Sequence, residues 1–369
     1  MSKLSLAVAD MDELYISRIM HFLVSRYSNR FNVSTFTKQP FLIDFLSAAD
    51  KKVDILLISP ELFDSTVLIE KAETIILLCE GRTEGTVRGY DAVYKFQHGD
   101  MLVSNIISIF SKKDRGELFI KDGTKKTRVI AVYSPSGGSG KTSIAVGSSI
   151  QCAQKGLAVF YLNFEHIDSL LFCSNINRGQ NLSNIIYHLK ERSQNITLKI
   201  EGTRCIDSQY NISYFEPPDS IQELNELTAE DYRHLIQQFK LMGQYDIIFV
   251  DMSSSFDSCN IALLEESDEI LLILAEDYAS NVKARVLSNE LNILFQKNSS
   301  TIKDKISIVL NKCSHNISTG VDDAGFNGKA ASVRLPLCWE LKASGDLGML
   351  ADMGNGFGRG INQLTDKLV

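Results

Sequence analysis

The stretch Ser134-Pro135-Ser136-Gly137-Gly138-Ser139-Gly140-Lys141-Thr142 has the composition needed to surround a polyphosphate. Glycines let successive backbone N–H groups turn inward around phosphate oxygens, and a following helix adds the positive end of its dipole. The pattern predicts that Gly137, Gly138, Ser139, Gly140, Lys141, Thr142 and Ser143 line a nucleotide site. Lys141 would reach the β- and γ-phosphates, and the Thr142 hydroxyl would ligate Mg²⁺. An apolar run, Val129–Tyr133, precedes the loop, and a helical pattern over Ser143–Lys155, closed by Gly156, follows it. That strand–loop–helix setting separates a phosphate loop from a chance Gly/Ser turn. The strict G-x-x-x-x-G-K-[ST] spacing wants glycine at 135, where this chain has proline. ATP with Mg²⁺ is the expected ligand.

A second chemical group follows in Tyr245-Asp246-Ile247-Ile248-Phe249-Val250-Asp251. A carboxylate at the carboxyl end of an apolar strand can hold Mg²⁺ through water, so Asp251 joins Thr142 as a metal residue and Lys141 in the catalytic set. Asp246 is assigned a structural role. The six histidines (His21, His98, His166, His188, His234 and His315) are scattered, and only His166 lies close in sequence to the site elements. The seven cysteines include no C-x-x-C pair and read as buried thiols in a reducing cytoplasm.

The elements that must position these groups fall into two blocks. With 369 residues, 44% apolar and 22% charged, the chain has ordinary globular composition and the length for two domains. Strands are predicted at Leu4–Ala9, Val33–Phe36, Val53–Ile58, Thr74–Cys79 and Ala92–Phe96, then at Val129–Tyr133, Ala158–Asn163, Asp246–Asp251, Ile270–Ala275 and Ile306–Leu310. Alternation with helical patterns predicts an α/β fold of two doubly wound, mainly parallel sheets. Thr228-Ala-Glu-Asp231 resembles a capping box opening a helix over Tyr232–Leu241. The domain division is 1–112, a junction over 113–127, and 128–369. In the junction, Asp122-Gly123 predicts a hairpin turn pairing Glu117–Lys121 with the strand before the phosphate loop.

The second block resembles the MinD/ParA family of dimeric P-loop ATPases. The family loop K-G-G-x-G-K-[ST] is matched by Ser136 to Thr142 in all but its first position. Its D-x-D motif falls at Asn163-Phe164-Glu165, and its adenine-side asparagine at Asn311, in Asn311-Lys312. The resemblance implies a homodimer in which Glu165 positions the attacking water. The family's leading lysine reaches the partner's phosphates, and Ser136 supplies no positive charge there. Asn163 likewise lacks the charge of the family's first aspartate. ATP binding with slow hydrolysis to ADP and phosphate is therefore expected.

The first block resembles a response-regulator receiver without its chemistry. Asp10 and Asp12 follow the first strand where receivers keep an acidic pair, and Lys95 matches the fifth-strand lysine. Ser59 occupies the phosphoacceptor position, so no acyl-phosphate can form there, and a docking role is expected. A receiver-like domain ahead of a MinD/ParA-type ATPase resembles the TadZ/CpaE proteins, which place Tad-type pilus machinery in bacterial cells. The resemblance implies pilus-assembly proteins as partners and a cytoplasmic location, focused at a pole or at the inner face of the membrane.

Other functions on the same fold are a non-hydrolysing nucleotide-bound scaffold, a DNA partitioner, a membrane switch and a biosynthetic synthetase. Net charge is −7, which does not draw nucleic acid to the molecule as a whole. The basic run Lys112–Arg128 is consistent with a solvated hairpin. The opening MSKLSLAVAD lacks a leader pattern, and no apolar run approaches the ~18 residues of a membrane span. Ile361, Leu364 and Leu368 form a helical stripe short of aromatics and cations, so membrane association is at most peripheral.

Overall fold

The computed structural model describes residues 3–28, 30–48, 53–63, 71–81, 86–112, 126–165, 181–193, 196–294, 299–314, 330–338 and 347–369. Two compact units result, Met1–Asp122 with Ser193–Thr203, and Gly123–Arg192 with Arg204–Val369. The junction hairpin and His166 lie outside the described residues.

The first unit runs β1 (Leu4–Ala9), α1 (Glu13–Tyr27), β2 (Phe31–Phe36), α2 (Gln39–Ala48), β3 (Val53–Ile58), β4 (Ala72–Cys79), β5 (Thr86–Val87), β6 (Tyr90–Tyr94) and α3 (Gly99–Lys112). The sheet order is β2-β1-β3-β4-β6-β5, parallel except for β5 against β6. Alternation along β1 sends Leu4, Leu6 and Val8 to one core and Ala7 and Ala9 to the other, as a sheet covered on both faces requires. The Asp12 carboxylate caps α1 by accepting from the Tyr15 amide at 3.0 Å. Three strands differ from the sequence reading. β2 starts earlier, at Phe31, whose side chain is buried. β4 starts two residues earlier, at the buried Ala72. β6 spans Tyr90–Tyr94, two residues earlier at both ends; beyond it the Lys95 amide still donates to the Cys79 carbonyl at 2.7 Å while its ammonium reaches Asp10.

The second unit contains β7 (Arg128–Tyr133), α4 (Lys141–Gln154), β8 (Val159–Asn163) and α5 (Leu182–Lys190), with α6 (Ile196–Thr203) intervening in the chain. It continues through β9 (Cys205–Ile206), β10 (Ser213–Tyr214), α7 (Gln222–Glu226), α8 (Ala229–Met242), β11 (Ile247–Asp251), α9 (Ser258–Glu266) and β12 (Glu269–Ala275). It closes with α10 (Tyr278–Leu294), α11 (Ser299–Asp304), β13 (Ile306–Cys313), β14 (Val333–Pro336) and α12 (Gly356–Leu368). The order β14-β13-β12-β7-β11-β8-β10-β9 is parallel except for β9. The central strands are apolar runs buried on both faces. Thr228 and Asp231 form the reciprocal capping box that opens α8, and Gly243 closes it in the left-handed region. The strands β5, β9, β10 and β14 were not anticipated, because two to four residues cannot display a period. Ile361, Leu364 and Leu368 of α12 are buried in the same core as α4.

Helix α6 belongs to the first unit although its neighbours in sequence belong to the second. It packs along α3, and Leu198 joins the core of Leu6, Val103 and Ile107. Glu201 pairs with Arg30, both side chains being almost wholly buried.

Candidate nucleotide-binding site

Strand β7 lies between β11 and β12, where the sheet order reverses and a crevice opens at the carboxyl ends. Residues 134–140 run from β7 into α4, whose N-cap is Gly140 with φ +96°. Gly138 is also left-handed, with φ +68°. A Cβ on Gly140 would stand 2.2 Å from Asn311 Nδ2, so both backbone angle and space demand glycine. The Ser136 amide donates to Ser134 Oγ at 3.2 Å, which turns the start of the loop.

Lys141 is 5% exposed and faces the acidic strand ends rather than solvent. Its ammonium lies 3.1 Å from Glu165 Oε1 and donates to Ser254 Oγ at 2.9 Å. The Thr142 hydroxyl donates to Glu165 Oε2 at 3.1 Å. Glu165 follows β8, and its amide donates to Asn163 Oδ1 at 2.9 Å, so the Asn163 side chain shapes the turn that carries the carboxylate. Sequence spacing alone could not foresee that Glu165 meets both Lys141 and Thr142.

Asp251 ends β11 and is fully buried. Its Oδ2 accepts from the Tyr161 hydroxyl at 2.9 Å, while Oδ1 has no hydrogen-bond partner. Burial pushes the Asp251 carboxyl up to about 7, and the charge of Glu165 adds to this; Thr142, Tyr161 and Lys141 pull the other way. An orphaned carboxylate oxygen beside a threonine hydroxyl is the donor chemistry that Mg²⁺ takes, directly or through water, so the residues fit that ion. Among the described residues, no group of three or more His, Cys, Asp or Glu could hold a metal on protein ligands alone.

Asn311, in β13, is buried, and its Nδ2 donates to the Ser139 carbonyl at 2.7 Å. Its neighbour Lys312 has φ +60° and donates to the Gly138 carbonyl. Tyr161 and Ser254 are absent from the sequence reading, and Lys312 enters it only as the neighbour of Asn311. The run Met252-Ser253-Ser254-Ser255 after the Asp251 strand was the available signal for Ser254. Asn260 Nδ2 organises that run by donating to the carbonyls of Ser255 at 2.8 Å and Ser253 at 3.2 Å. Nothing local distinguishes Tyr161 from any buried strand residue.

In the first unit, Asp10 Oδ1 accepts from the Asp12 amide at 2.8 Å and from Lys95 Nζ at 3.0 Å. Lys95 also approaches Glu80 at 3.4 Å and Asp12 at 3.7 Å. Burial alone would lower the Lys95 ammonium, but these carboxylates more than offset it and hold its pKa above the usual lysine range. Ser59 is buried, with its hydroxyl unpartnered.

Residues 2–111 match the family model described as a TadZ-like receiver domain. Residues 127–308 match the model of an AAA domain. No curated protein sequence matches the chain. Among solved structures, the chain is similar to a ParA family ATPase from Chlorobium tepidum TLS, with TM-score 0.54 and 20% identity over 66% of this chain and 99% of that one. It is also similar to the septum site-determining protein MinD complexed with Mg-ADP from Pyrococcus horikoshii OT3, with TM-score 0.52 and 14% identity over 66% and 96%. The MinC:MinD cell division protein complex of Aquifex aeolicus gives TM-score 0.52 and 16% identity over 65% and 95%. At these identities the likeness concerns the fold.

Proposed function

Because the chain joins a TadZ-like receiver domain to a P-loop domain of the ParA/MinD fold, we propose that it is an ATP-binding, slowly hydrolysing, homodimeric protein that positions Tad-type pilus machinery. The observation that carries the nucleotide reading is the left-handed glycine loop leading into Lys141 and Thr142, with Glu165 and Asp251 converging on them. The MinD neighbour carries Mg-ADP, which supports the same ligand class here. Amides of Gly137 to Gly140 and of the α4 N-terminus hold the phosphates, and Lys141 releases Glu165 to meet the β- and γ-phosphate oxygens. Thr142 and Asp251 hold Mg²⁺, which neutralises phosphate charge when bound. Glu165, once free of Lys141, orients water toward the γ-phosphorus and accepts a proton from it. Residues 1–112 serve as the docking domain, 113–127 as a junction and 128–369 as the ATPase domain.

Ser136 and Asn163 favour a second reading, in which ATP is bound but not hydrolysed and the protein is a scaffold. Direct titration of the purified protein with ATP and Mg²⁺ tests the shared premise, and absence of uptake overturns both readings. Single-turnover phosphate release then separates them. Release at the uncatalysed rate, unchanged by Glu165→Ala, leaves only the scaffold. Sizing with ATP and with ADP, using Lys141→Ala as control, tests the dimer. A MinD neighbour solved with MinC supports partner recruitment as the output, and the docking domain supplies the pilus-specific surface. No helix among the described residues is long and apolar enough to cross a membrane. The TadZ-like receiver domain supports action in the cytoplasm, focused at a pole or at the membrane's inner face.

A further inference from the structure

In the first unit, the carboxyl ends of β1, β4 and β6 carry apolar side chains that the fold leaves uncovered. Met11 is 64% exposed, Leu14 62% and Phe96 55%. Met11 lies between β1 and α1, Leu14 in the first turn of α1, and Phe96 two residues beyond β6. Single exposed apolar residues are ordinary on a protein surface, whereas several gathered in one place mark a contact surface. One ammonium shows how closely these elements gather. Lys95 Nζ lies 5.3 Å from the centre of the Phe96 ring and 4.9 Å from that of Tyr15. Glu80, just after β4, comes within 3.4 Å of the same nitrogen, and Asp12, between Met11 and Leu14, within 3.7 Å.

Phe96 is exposed and yet held in place. Its ring meets Tyr15 at 6.3 Å and Tyr94 at 6.1 Å between centres, with interplanar angles of 83° and 78°. A ring fixed before binding loses little freedom when a partner covers it, which is the property of an interface anchor. The charges around it select the kind of partner. Asp10, Asp12 and Glu80 set three carboxylates around the one ammonium of Lys95. Lys95 is buried, whereas Asp12 is 44% exposed and Glu80 70%. Solvent therefore meets negative charge beside an aromatic ring, with the compensating cation beneath. Such a rim repels nucleic acid and anionic lipid headgroups, since both bring phosphate. A cationic segment fits it. An Arg or Lys side chain meets Asp12 and Glu80, and a neighbouring apolar side chain covers Phe96, Leu14 and Met11.

We propose that Phe96, Leu14 and Met11, rimmed by Asp12 and Glu80, form the docking surface of the first unit, and that its occupant is a partner-protein segment in which basic residues alternate with apolar ones. This deepens the reading of residues 1–112 as a docking domain and rests on it.

The probes are two fluorescein-labelled synthetic peptides of equal length, one alternating arginine with leucine and the other glutamate with leucine. Each is titrated with the full-length protein and followed by anisotropy, for the wild type and for Phe96→Ser, Glu80→Gln and Phe41→Ser. Phe41 is an exposed residue of α2, which covers the opposite face of the sheet from α1. Thermal melting checks that each variant folds. The arginine peptide is expected to bind wild type at least about tenfold more tightly than the glutamate peptide. Phe96→Ser should weaken it about tenfold, and Glu80→Gln about threefold with a shallower dependence on salt. Phe41→Ser should stay within about twofold of wild type, as should ATP binding by Phe96→Ser. The proposal is overturned if the two peptides bind alike or if Phe96→Ser keeps wild-type affinity for the arginine peptide. It is also overturned if sizing shows that Phe96→Ser breaks a self-association of the wild type, because a second copy then occupies the patch. Weakening by Phe41→Ser in place of Phe96→Ser moves docking to another face, which removes this surface but leaves the docking domain. Undiminished arginine-peptide binding in all three variants takes the first unit out of the contact altogether, and the docking reading falls with it.

Discussion

Asp10, just after β1, and Asp251, at the end of β11, are both buried carboxylates at carboxyl ends of parallel sheets, but their surroundings differ in kind. Asp10 is met directly by the Lys95 ammonium at 3.0 Å, and the loop that follows it contains no glycine. Asp251 accepts from a phenol on one oxygen and has no hydrogen-bond partner on the other, while the nearby Lys141 is paired with Glu165. Asp10 Oδ2 also lacks a hydrogen-bond partner, but its charge is met by a buried ammonium, so the first unit's cluster is a closed ion pair. In the second unit the charges are divided between groups that ATP and Mg²⁺ could rearrange. Similar architecture thus yields a closed ion pair in one place and a candidate binding site in the other, and the loop between strand and helix makes the difference.

Breaking the closed pair should have the largest effect. Lys95→Met leaves Asp10 buried without its counter-charge and should cost about 3–5 kcal/mol in chemical denaturation followed by first-unit probes. ATP binding by that variant should remain within about twofold of wild type where it stays folded. Loss of ATP binding in a folded Lys95→Met protein would end the contrast between the two sites. Next in size, Lys141→Ala should weaken ATP by about 100-fold, or about 2.7 kcal/mol, in calorimetric titration while the melting transition of the first unit is retained.

The Asp251 carboxyl sharpens the comparison through pH. Its pKa is pushed from 3.8 up to about 7 in the folded chain. Below 3.8 the group is protonated whether folded or not, and between the two values only the folded chain keeps the proton. Stability from this group is therefore present at low pH and lost as pH rises toward 7. Subtracting the nucleotide-free melting profile of Asp251→Asn from that of wild type should leave a decline on the order of 2 kcal/mol across that window. A flat difference profile would mean that Asp251 is solvated like an ordinary carboxylate. The smallest expected effect is that of Tyr161→Phe, about 1 kcal/mol of stability from the lost hydrogen bond, with the Asp251 window moved to higher pH.

Much of the second unit's core could be read from contiguous residues. Val129–Tyr133 as a strand, the glycine-rich loop and the helix after it appear as expected, and so does the Thr228–Asp231 capping box. In the first unit β1 and β3 occupy the predicted spans. The contact of Lys95 with Asp10, 85 residues away in sequence, could not be read locally, because Lys95 lies in an extended apolar pattern. The assignment of 196–203 to the first unit had no local signal at all. The segment looks like any amphipathic turn until Arg30 and α3 are beside it.

The sequence by itself determined the strand, the glycine-rich turn over 134–140 and the helix start after it, because left-handed glycines, an apolar run and a helix start are encoded within a few neighbouring positions. Tertiary structure alone decided which charges meet there. Glu165 comes to Lys141, Tyr161 to Asp251, and Asn311 with Lys312 to the loop carbonyls because the order β13-β12-β7-β11-β8 sets these strand ends side by side. Strand order is a property of the whole packed sheet, fixed by burying both its faces, and no single segment carries it.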